Sequence, residues 1–152
     1  MTDTNPAGSP ARPYRSRAVA AWLAFLGGSL GLHRFYLYGV RDPWAWLHPW
    51  PTLVGAYGFW RLREYGVDDR LGSLLVPILG AMLAATMLTA IVYGLASDER
   101  WAARYGEAPD AAHSAWPRLI AVILALATGA AIAMATIAFT AQHYFEASTE
   151  LR

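Results

Sequence analysis

Residues 71–97 read LGSLLVPILGAMLAATMLTAIVYGLAS and contain no charged side chain. A second stretch without Asp, Glu, Lys or Arg, LIAVILALATGAAIAMATIAFTAQHYF, occupies residues 119–145. A helix rises about 1.5 Å per residue, so roughly 20 residues cross a hydrocarbon core of about 30 Å. Both stretches are longer than that, and both therefore predict transmembrane helices.

The composition of the whole chain agrees with a membrane protein. Hydrophobic residues make up 56% of the 152 residues and charged residues 15%, whereas soluble globular domains carry about 25% charged residues. A soluble protein of this length has too small a core to bury two such helices on every side. We therefore predict an all-α fold, a polytopic membrane protein with about four transmembrane helices.

Composition also excludes several kinds of site. The chain has no cysteine, which removes disulfides, thiolate metal sites and cysteine nucleophiles. All twelve basic residues are arginine, a hint of a GC-rich genome. The net charge of +1 is too small to give the positive surface potential that attracts nucleic acid. No spacing of His with Asp or Glu suggests zinc, and we expect no cofactor. No acidic residue falls within a predicted span, so we expect no enzyme and no ion-coupling carboxylate.

The first 69 residues divide into a polar segment and a predicted helical hairpin. Residues 1–17 are rich in Pro, Ser, Thr, Asn and Gly and read as a disordered, basic lead-in. An apolar run, 18–32, opens a transmembrane hairpin predicted over 18–69. A cleaved signal peptide is the alternative for this run, but the aromatic residues directly beyond it and the later spans favour a retained helix. Residues 70–152 hold the third and fourth helices, their connecting loop and a short C-terminal tail.

Glycine, proline and tryptophan shape the second half of the hairpin. Residues 39–43 (GVRDP) predict a turn, because glycine ends helices and proline cannot continue one. A helix is expected from near Pro51 to about Glu64, since proline fits a first turn. The tryptophans of residues 44–50 suit the lipid–water boundary. The third and fourth helices are expected over about 71–96 and 119–144.

The arginines predict the orientation. Three lie in the lead-in, three in residues 61–70 and three in residues 98–118. The positive-inside rule counts Lys and Arg, and the first span usually dominates. We therefore expect the N-terminus in the cytoplasm, and four crossings would return the C-terminus to the same side.

Small residues recur at spacings that suit close helix contacts. They are Ala125, Gly129 and Ala133 in the fourth predicted span and Gly27, Gly28 and Gly31 in the first. Lipid offers no hydrophobic drive between helices, so small residues that let backbones approach mark contact faces. In the fourth span alanine is so common that chance spacing explains the pattern nearly as well.

The stretch GGSLGLHRFYLYG, residues 27–39, is the most informative motif. The uncharged run 18–32 gives about 22 Å of helix, which is too short to cross a bilayer. The helix is therefore expected to carry His33 and Arg34 into or beside the membrane, where a charge must face protein, water or a headgroup. A guanidinium suits phosphate or carboxylate, and Asp42, across the turn, is the nearest candidate partner in sequence.

The motif resembles the TM-2 domain family, which is named for its two transmembrane helices and whose usual pattern is Gly-x-x-Gly-x-His-Arg-Phe-Tyr-Leu-Gly. The matching residues are Gly28, Gly31, His33, Arg34, Phe35, Tyr36 and Leu37. Tyr38 stands where a glycine is usual. The aspartate common after a tryptophan in the second helix is lost, or replaced by Glu64 or Asp68. The resemblance covers roughly residues 15–69 and implies a multi-pass protein of the bacterial cytoplasmic (inner) membrane with two added spans.

Three functions remain open on the sequence. The first is a non-catalytic scaffold or partner-binding subunit that contacts the lipid bilayer and a membrane protein partner or a second copy of itself, with Arg34 locked to Asp42. The alternative is a small lipid-handling or carrier protein in which His33 and Arg34 contact an anionic headgroup. Phe35 and Tyr36 complete this candidate binding motif.

The third function is a haem held by two imidazoles. The four histidines are His33, His48, His113 and His143. On the predicted topology His33 and His48 could face each other, whereas His143 lies at the opposite membrane face.

Overall fold

The computed structural model describes residues 14–106 and 115–150. Over these ranges the chain is helical apart from short turns, and no strand is present. The elements are α1 (Arg17–Gly27), a 3₁₀ turn (Gly28–Leu30), α2 (Leu32–Tyr38), α3 (Pro43–Leu47), α4 (Pro49–Tyr65), α5 (Arg70–Leu95), α6 (Asp98–Tyr105) and α7 (Trp116–Glu150). The predicted all-α class is confirmed.

Helices α5 and α7 form the long antiparallel pair against which the other helices pack. Within the described ranges, α5 and most of α7 are the two helices long and apolar enough to cross a membrane, and they match the predicted third and fourth spans. A Cβ on Gly94 would meet Val122, and one on Gly80 would meet Thr136, so α7 runs against the direction of α5. The upper end of the bundle is where α5 finishes, and the lower end is where α5 begins.

Helix α1 packs against the upper half of α5. The Arg17 guanidinium donates to the Ala96 carbonyl, which places the start of α1 at the upper end. At the other end of α1, a Cβ on Gly28 would lie 2.7 Å from the Cβ of Thr86. With 11 residues, α1 measures about 16 Å. It therefore reaches only the middle of α5.

The chain reverses direction at the glycine-rich end of α1. Gly31, after the 3₁₀ turn, has φ +79°, a left-handed conformation that glycine adopts without steric cost. A Cβ there would also lie 2.5 Å from the Ala45 carbonyl oxygen. Helix α2 then returns to the upper end, where the Tyr36 hydroxyl accepts a hydrogen bond of 2.9 Å from the Ser16 amide. The expected continuation of one helix as far as Arg34 is wrong, because α1 ends at Gly27 and the chain reverses before α2 begins at Leu32. We call α1 and α2, with the turn between them, the re-entrant pair.

Helices α3 and α4 carry the chain from the upper to the lower end. The Thr52 hydroxyl donates a hydrogen bond of 2.9 Å to the Ser29 carbonyl at the tip of the re-entrant pair. Below this point α4 lies directly on α5, where a Cβ on Gly55 would be 2.5 Å from the Cβ of Leu79. Residues 43–65 amount to about 34 Å of helix. One face of the lower half of α5 thus packs against α4, and one face of its upper half packs against α1.

The predicted turn and second helix match the structure closely. Gly39 has φ +83° and ends α2, and the Asp42 carboxylate caps α3 by accepting from the Trp44 amide. Helix α4 starts two residues before the expected Pro51 and ends one residue after Glu64. The predicted positions of the turn and of the helix that starts near Pro51 therefore agree with the structure, although α3 was not expected to be helical.

The two described ends of the chain lie at opposite ends of the bundle. The Arg15 amide donates to the Tyr105 carbonyl at the upper end, with N···O 3.0 Å. His143, near the end of α7, lies beside Val67 and Asp68 at the lower end. In the described residues α1 and α2 together begin and finish at the same end of the bundle, and the expected orientation of the termini stays a prediction. The number of long apolar helices is two in the described ranges, so four full spans are not confirmed.

Candidate functional site

Arg34 and Asp42 meet across the turn between α2 and α3. Arg34 Nε donates a hydrogen bond of 2.8 Å to Asp42 Oδ2, and its guanidinium carbon lies 5.1 Å from the centre of the Tyr38 ring. Asp42 Oδ1 accepts from the Trp44 amide at 3.2 Å. The carboxylate therefore joins two helices, because it neutralises a side chain of α2 and satisfies an amide at the start of α3.

A second turn, between α4 and α5, has the same construction. Arg61 donates to Asp69 twice, from Nε and from Nη2, both at 2.8 Å. The Arg61 guanidinium carbon lies 4.9 Å from the centre of the Tyr65 ring, and Asp69 Oδ2 accepts from the Gly72 amide at 2.7 Å. Gly66 has φ +92°. Each feature of the first turn is present, with one more hydrogen bond between the charged groups.

The two turns share a sequence pattern as well as a structure. Residues 34–42 read RFYLYGVRD and residues 61–69 read RLREYGVDD. Both follow Arg-x-x-x-Tyr-Gly-Val-x-Asp. We call them the first hinge (Arg34, Tyr38, Gly39 and Asp42) and the second hinge (Arg61, Tyr65, Gly66 and Asp69). The repeat is not among the motifs predicted from the sequence, although the five shared positions can be recognised there.

Hydrogen bonding to arginine lowers the pKa of both hinge carboxylates. Arg34 holds the pKa of Asp42 below its usual value, and the Trp44 amide acts in the same direction. Arg61 does the same for the pKa of Asp69, with help from the Gly72 amide. In both cases the donors favour the ionised form more than the partial loss of water disfavours it.

His33 and His48 are brought together, as the sequence suggested. Their ring centres are 5.4 Å apart at an angle of 70°, and His33 is only 2% exposed. Its Nδ1 has no hydrogen-bond partner among the described residues. His48 Nδ1 lies 2.8 Å from the Trp44 carbonyl oxygen, which can only accept, so that nitrogen carries the proton.

The other histidines do not join this pair. His143 lies at the lower end of the bundle, and His113 lies outside the described residues. In the part of the chain that the structure describes, no group of three or more His, Cys, Asp or Glu residues is arranged to hold a metal ion.

Phe35 and Tyr36 tie α2 to its surroundings. The Phe35 ring packs edge-on against Trp46 of α3, with ring centres 5.3 Å apart. The Tyr36 ring lies under the Arg15 guanidinium, 5.2 Å from its carbon. Together with the hydrogen bond from Ser16 to the Tyr36 hydroxyl, these contacts engage both aromatic residues of the motif within the protein.

The small residues named from the sequence lie mostly at helix contacts. Ala125 is fully buried in a cluster with Ala24, Met87 and Ala90. A Cβ on Gly129 would be 2.8 Å from the Cβ of Met87. The remaining four are placed as follows: Ala133 is half-buried, and Gly27, Gly28 and Gly31 are buried in the reversal of the chain. Ala125 and Gly129 therefore let α7 pack closely against Met87 of α5.

Comparison with models of known families, with characterised proteins and with solved structures finds no match.

Proposed function

We propose that this chain is an integral membrane protein that crosses the bilayer three times, through α3–α4, α5 and α7, and acts as a non-catalytic scaffold or partner-binding subunit. One observation carries the membrane assignment. In the most apolar part of α5 and of α7, only 17% of the residues are buried. Large apolar side chains such as Leu88 of α5 and Ile123 of α7 are exposed. A core helix of a soluble protein would be covered, so lipid is the solvent that these faces suit.

The two hinges support α3–α4 as the third crossing. They bracket about 34 Å of helix, close to the thickness of a hydrocarbon core. The exposed aromatic residues of this segment are Trp44, Trp46 and Trp50 in its upper part and Tyr57, Phe59, Trp60 and Tyr65 in its lower part. Such belts are typical of residues at the two membrane interfaces.

The distribution of arginine supports one orientation. Described arginines at or near the upper end are Arg15, Arg17, Arg34, Arg41, Arg100, Arg104 and Arg118, and those at or near the lower end are Arg61, Arg63 and Arg70. The positive-inside rule then puts the upper end in the cytoplasm. The N-terminus is cytoplasmic in this proposal, and the C-terminus lies on the opposite side.

The bacterial cytoplasmic membrane is the proposed location, on the resemblance of residues 28–37 to the TM-2 domain family. The scaffold role is supported by the way the motif is used. Arg34 is engaged by Asp42 and Tyr38, whereas Trp44 and Trp46 on the neighbouring helix are 60% and 62% exposed. The charged part of the motif holds the first hinge, and the tryptophan face of α3 is the surface proposed for a membrane partner.

Single cysteines test the topology, and the cysteine-free chain is an ideal background. We would label Thr4→Cys, Glu99→Cys and Ser148→Cys in intact cells with a membrane-impermeant maleimide. Three crossings predict labelling of position 148 alone. Four crossings would place positions 4 and 148 together and position 99 on the other side.

Affinity purification in mild detergent tests the scaffold role. A partner chain, or a second copy, should accompany the wild type and be lost from Trp46→Ala. The matched control is Leu126→Ala, an exposed position on α7, which should retain it. A bound lipid that disappears from Arg34→Ala, with no polypeptide partner in any sample, would favour the headgroup-binding alternative instead.

A further inference from the structure

The imidazole rings of His33 and His48 lie side by side where α2 begins and α3 ends. Their ring centres are 5.4 Å apart at an angle of 70°. The close approach of the two helices fixes this arrangement, since a Cβ on Gly31 would lie 3.2 Å from the Cβ of His48. His33 is buried and His48 is half-buried. The pair is therefore held inside a helix contact, and His48 keeps it accessible from outside.

His48 is oriented as histidines that bind metal ions are. Its Nδ1 donates to the Trp44 carbonyl oxygen at 2.8 Å, so the neutral ring has its lone pair on Nε2. Metal-binding histidines almost always donate their other ring N–H to a carboxylate, a backbone carbonyl or water, because that bond fixes the tautomer and the direction of the ring. The hydrogen bond to Trp44 thus prepares Nε2 to act as a ligand.

His33 supplies a second nitrogen, and this one is buried without a partner. Its side chain is 2% exposed, and its Nδ1 forms no hydrogen bond within the described ranges. The large majority of buried polar side-chain atoms in folded proteins have a partner, so this exception calls for a reason. A nitrogen that binds a metal ion must keep its lone pair for the ion, and Nδ1 meets that condition.

The spacing and the charge around the pair suit one small cation. Metal–nitrogen bonds of about 2.0 Å place two imidazole centres about 5–6 Å apart when both bind one ion at a tetrahedral angle, and the observed separation falls in this range. The two axial ligands of a haem lie on opposite faces of the porphyrin and are farther apart. The positive neighbour, Arg34, is paired with Asp42, so the ion does not face an unbalanced guanidinium.

We propose that His33 and His48 together bind one late first-row transition-metal ion, through His33 Nδ1 and His48 Nε2. Imidazole suits zinc, copper and nickel, and within this series Cu²⁺ is bound most tightly. In the described part of the chain no third His, Cys, Asp or Glu joins the pair. The remaining coordination positions are therefore open to water or to a donor from a partner. The proposal goes beyond the scaffold role and does not depend on it.

Titration of the purified full chain with Cu²⁺ tests the proposal. The protein carries an affinity tag that contains no histidine. Isothermal titration calorimetry measures the affinity, and pulsed electron paramagnetic resonance counts the imidazoles bound to the ion. The wild type should bind one Cu²⁺ through two imidazoles. His48→Gln should weaken this binding by at least about tenfold, the lower end of what the loss of a group that merely supports a ligand costs.

His143→Gln is the matched control. His143 is also half-buried, and its Nδ1 lies 3.0 Å from the carbonyl oxygen four residues earlier, that of Phe139. It therefore resembles His48 in everything except the neighbouring histidine, and His143→Gln should bind Cu²⁺ as the wild type does. His33→Gln should lose affinity as His48→Gln does, and circular dichroism shows whether this buried substitution leaves the chain folded.

Three outcomes would overturn the proposal. The first is a wild type whose Cu²⁺ carries fewer than two imidazoles. The second is an unchanged affinity in His48→Gln, which decides the question even if His33→Gln does not fold, because His48 is only half-buried. The third is an equal loss of affinity in His143→Gln, which would show binding to scattered histidines.

Discussion

The guanidinium of Arg61 donates two hydrogen bonds of 2.8 Å to the carboxylate of Asp69, eight residues later in the chain. At the first hinge, Arg34 and Asp42 have the same separation in sequence but share one such bond. The two hinges therefore differ in strength although they share a pattern. A two-point contact between planar groups fixes the angle between helices as well as their distance.

Replacement of each hinge arginine by lysine should distinguish the one-bond contact at the first hinge from the two-bond contact at the second. Lysine keeps the charge but cannot form the paired contact. We expect Arg61→Lys to lower the melting temperature in detergent by several degrees and Arg34→Lys to lower it less. Equal effects would mean that the second hydrogen bond of Arg61 contributes nothing.

Acid should weaken both hinges. The pKa of Asp42 and of Asp69 is lowered in the folded protein, so folding favours the ionised carboxylates. Their contribution is fully present above the unfolded pKa of about 4. It is lost as the pH falls from there through the folded pKa. Thermal unfolding between pH 7 and pH 2 should show a flat region above about pH 5 and a decline below about pH 4, and the decline should be smaller in Asp69→Asn.

Gly31 should tolerate substitution less well than Gly39. Both have positive φ, where a non-glycine residue costs roughly 1–2 kcal/mol. Only Gly31 also faces a backbone atom, the Ala45 carbonyl oxygen, at 2.5 Å from an added Cβ, whereas nothing lies within 4 Å of one on Gly39. Gly31→Ala should therefore unfold at a distinctly lower denaturant concentration than Gly39→Ala. Equal midpoints would contradict the close approach of α3 to the chain reversal.

The contact between α7 and α5 should depend on Gly129. A Cβ there would already be 2.8 Å from Met87 Cβ, so Gly129→Leu must push the helices apart, at a cost of about 1–3 kcal/mol. Ala130→Leu is the control, because Ala130 is exposed and a larger side chain meets no neighbour. Steric trap or detergent unfolding would measure both. A destabilised Ala130→Leu would place the contact face elsewhere on α7.

The sequence predicted those parts of the fold that depend on long uniform stretches. The uncharged runs of α5 and α7 can be recognised in the sequence because a membrane span requires about 20 apolar residues in a row. The turn at residues 39–43 can be recognised in the sequence because its glycine ends a helix and its proline cannot continue one. Asp42 was named as the partner of Arg34, since eight residues and a turn bring the two within reach.

The chain reversal at Gly31 was not predicted, and the cause is physical. An apolar run with glycines is compatible with a continuous helix, and the left-handed φ of Gly31 arises only when α2 and α3 pack beside it. The second hinge can be recognised in the sequence as a repeat of the first, but residues 61–70 were used only for their arginines, as evidence of orientation.

The re-entrant pair has a consequence for biogenesis. Its tip, at Ser29, is satisfied by Thr52 of α4, and irregular backbone at this depth needs such protein partners. Those partners are synthesised later than the pair itself. A cysteine at position 29 should react with maleimide in chains that stop before residue 49, which lack α4, and be shielded in the full chain. The pair therefore reaches its final arrangement only after α4 has been synthesised.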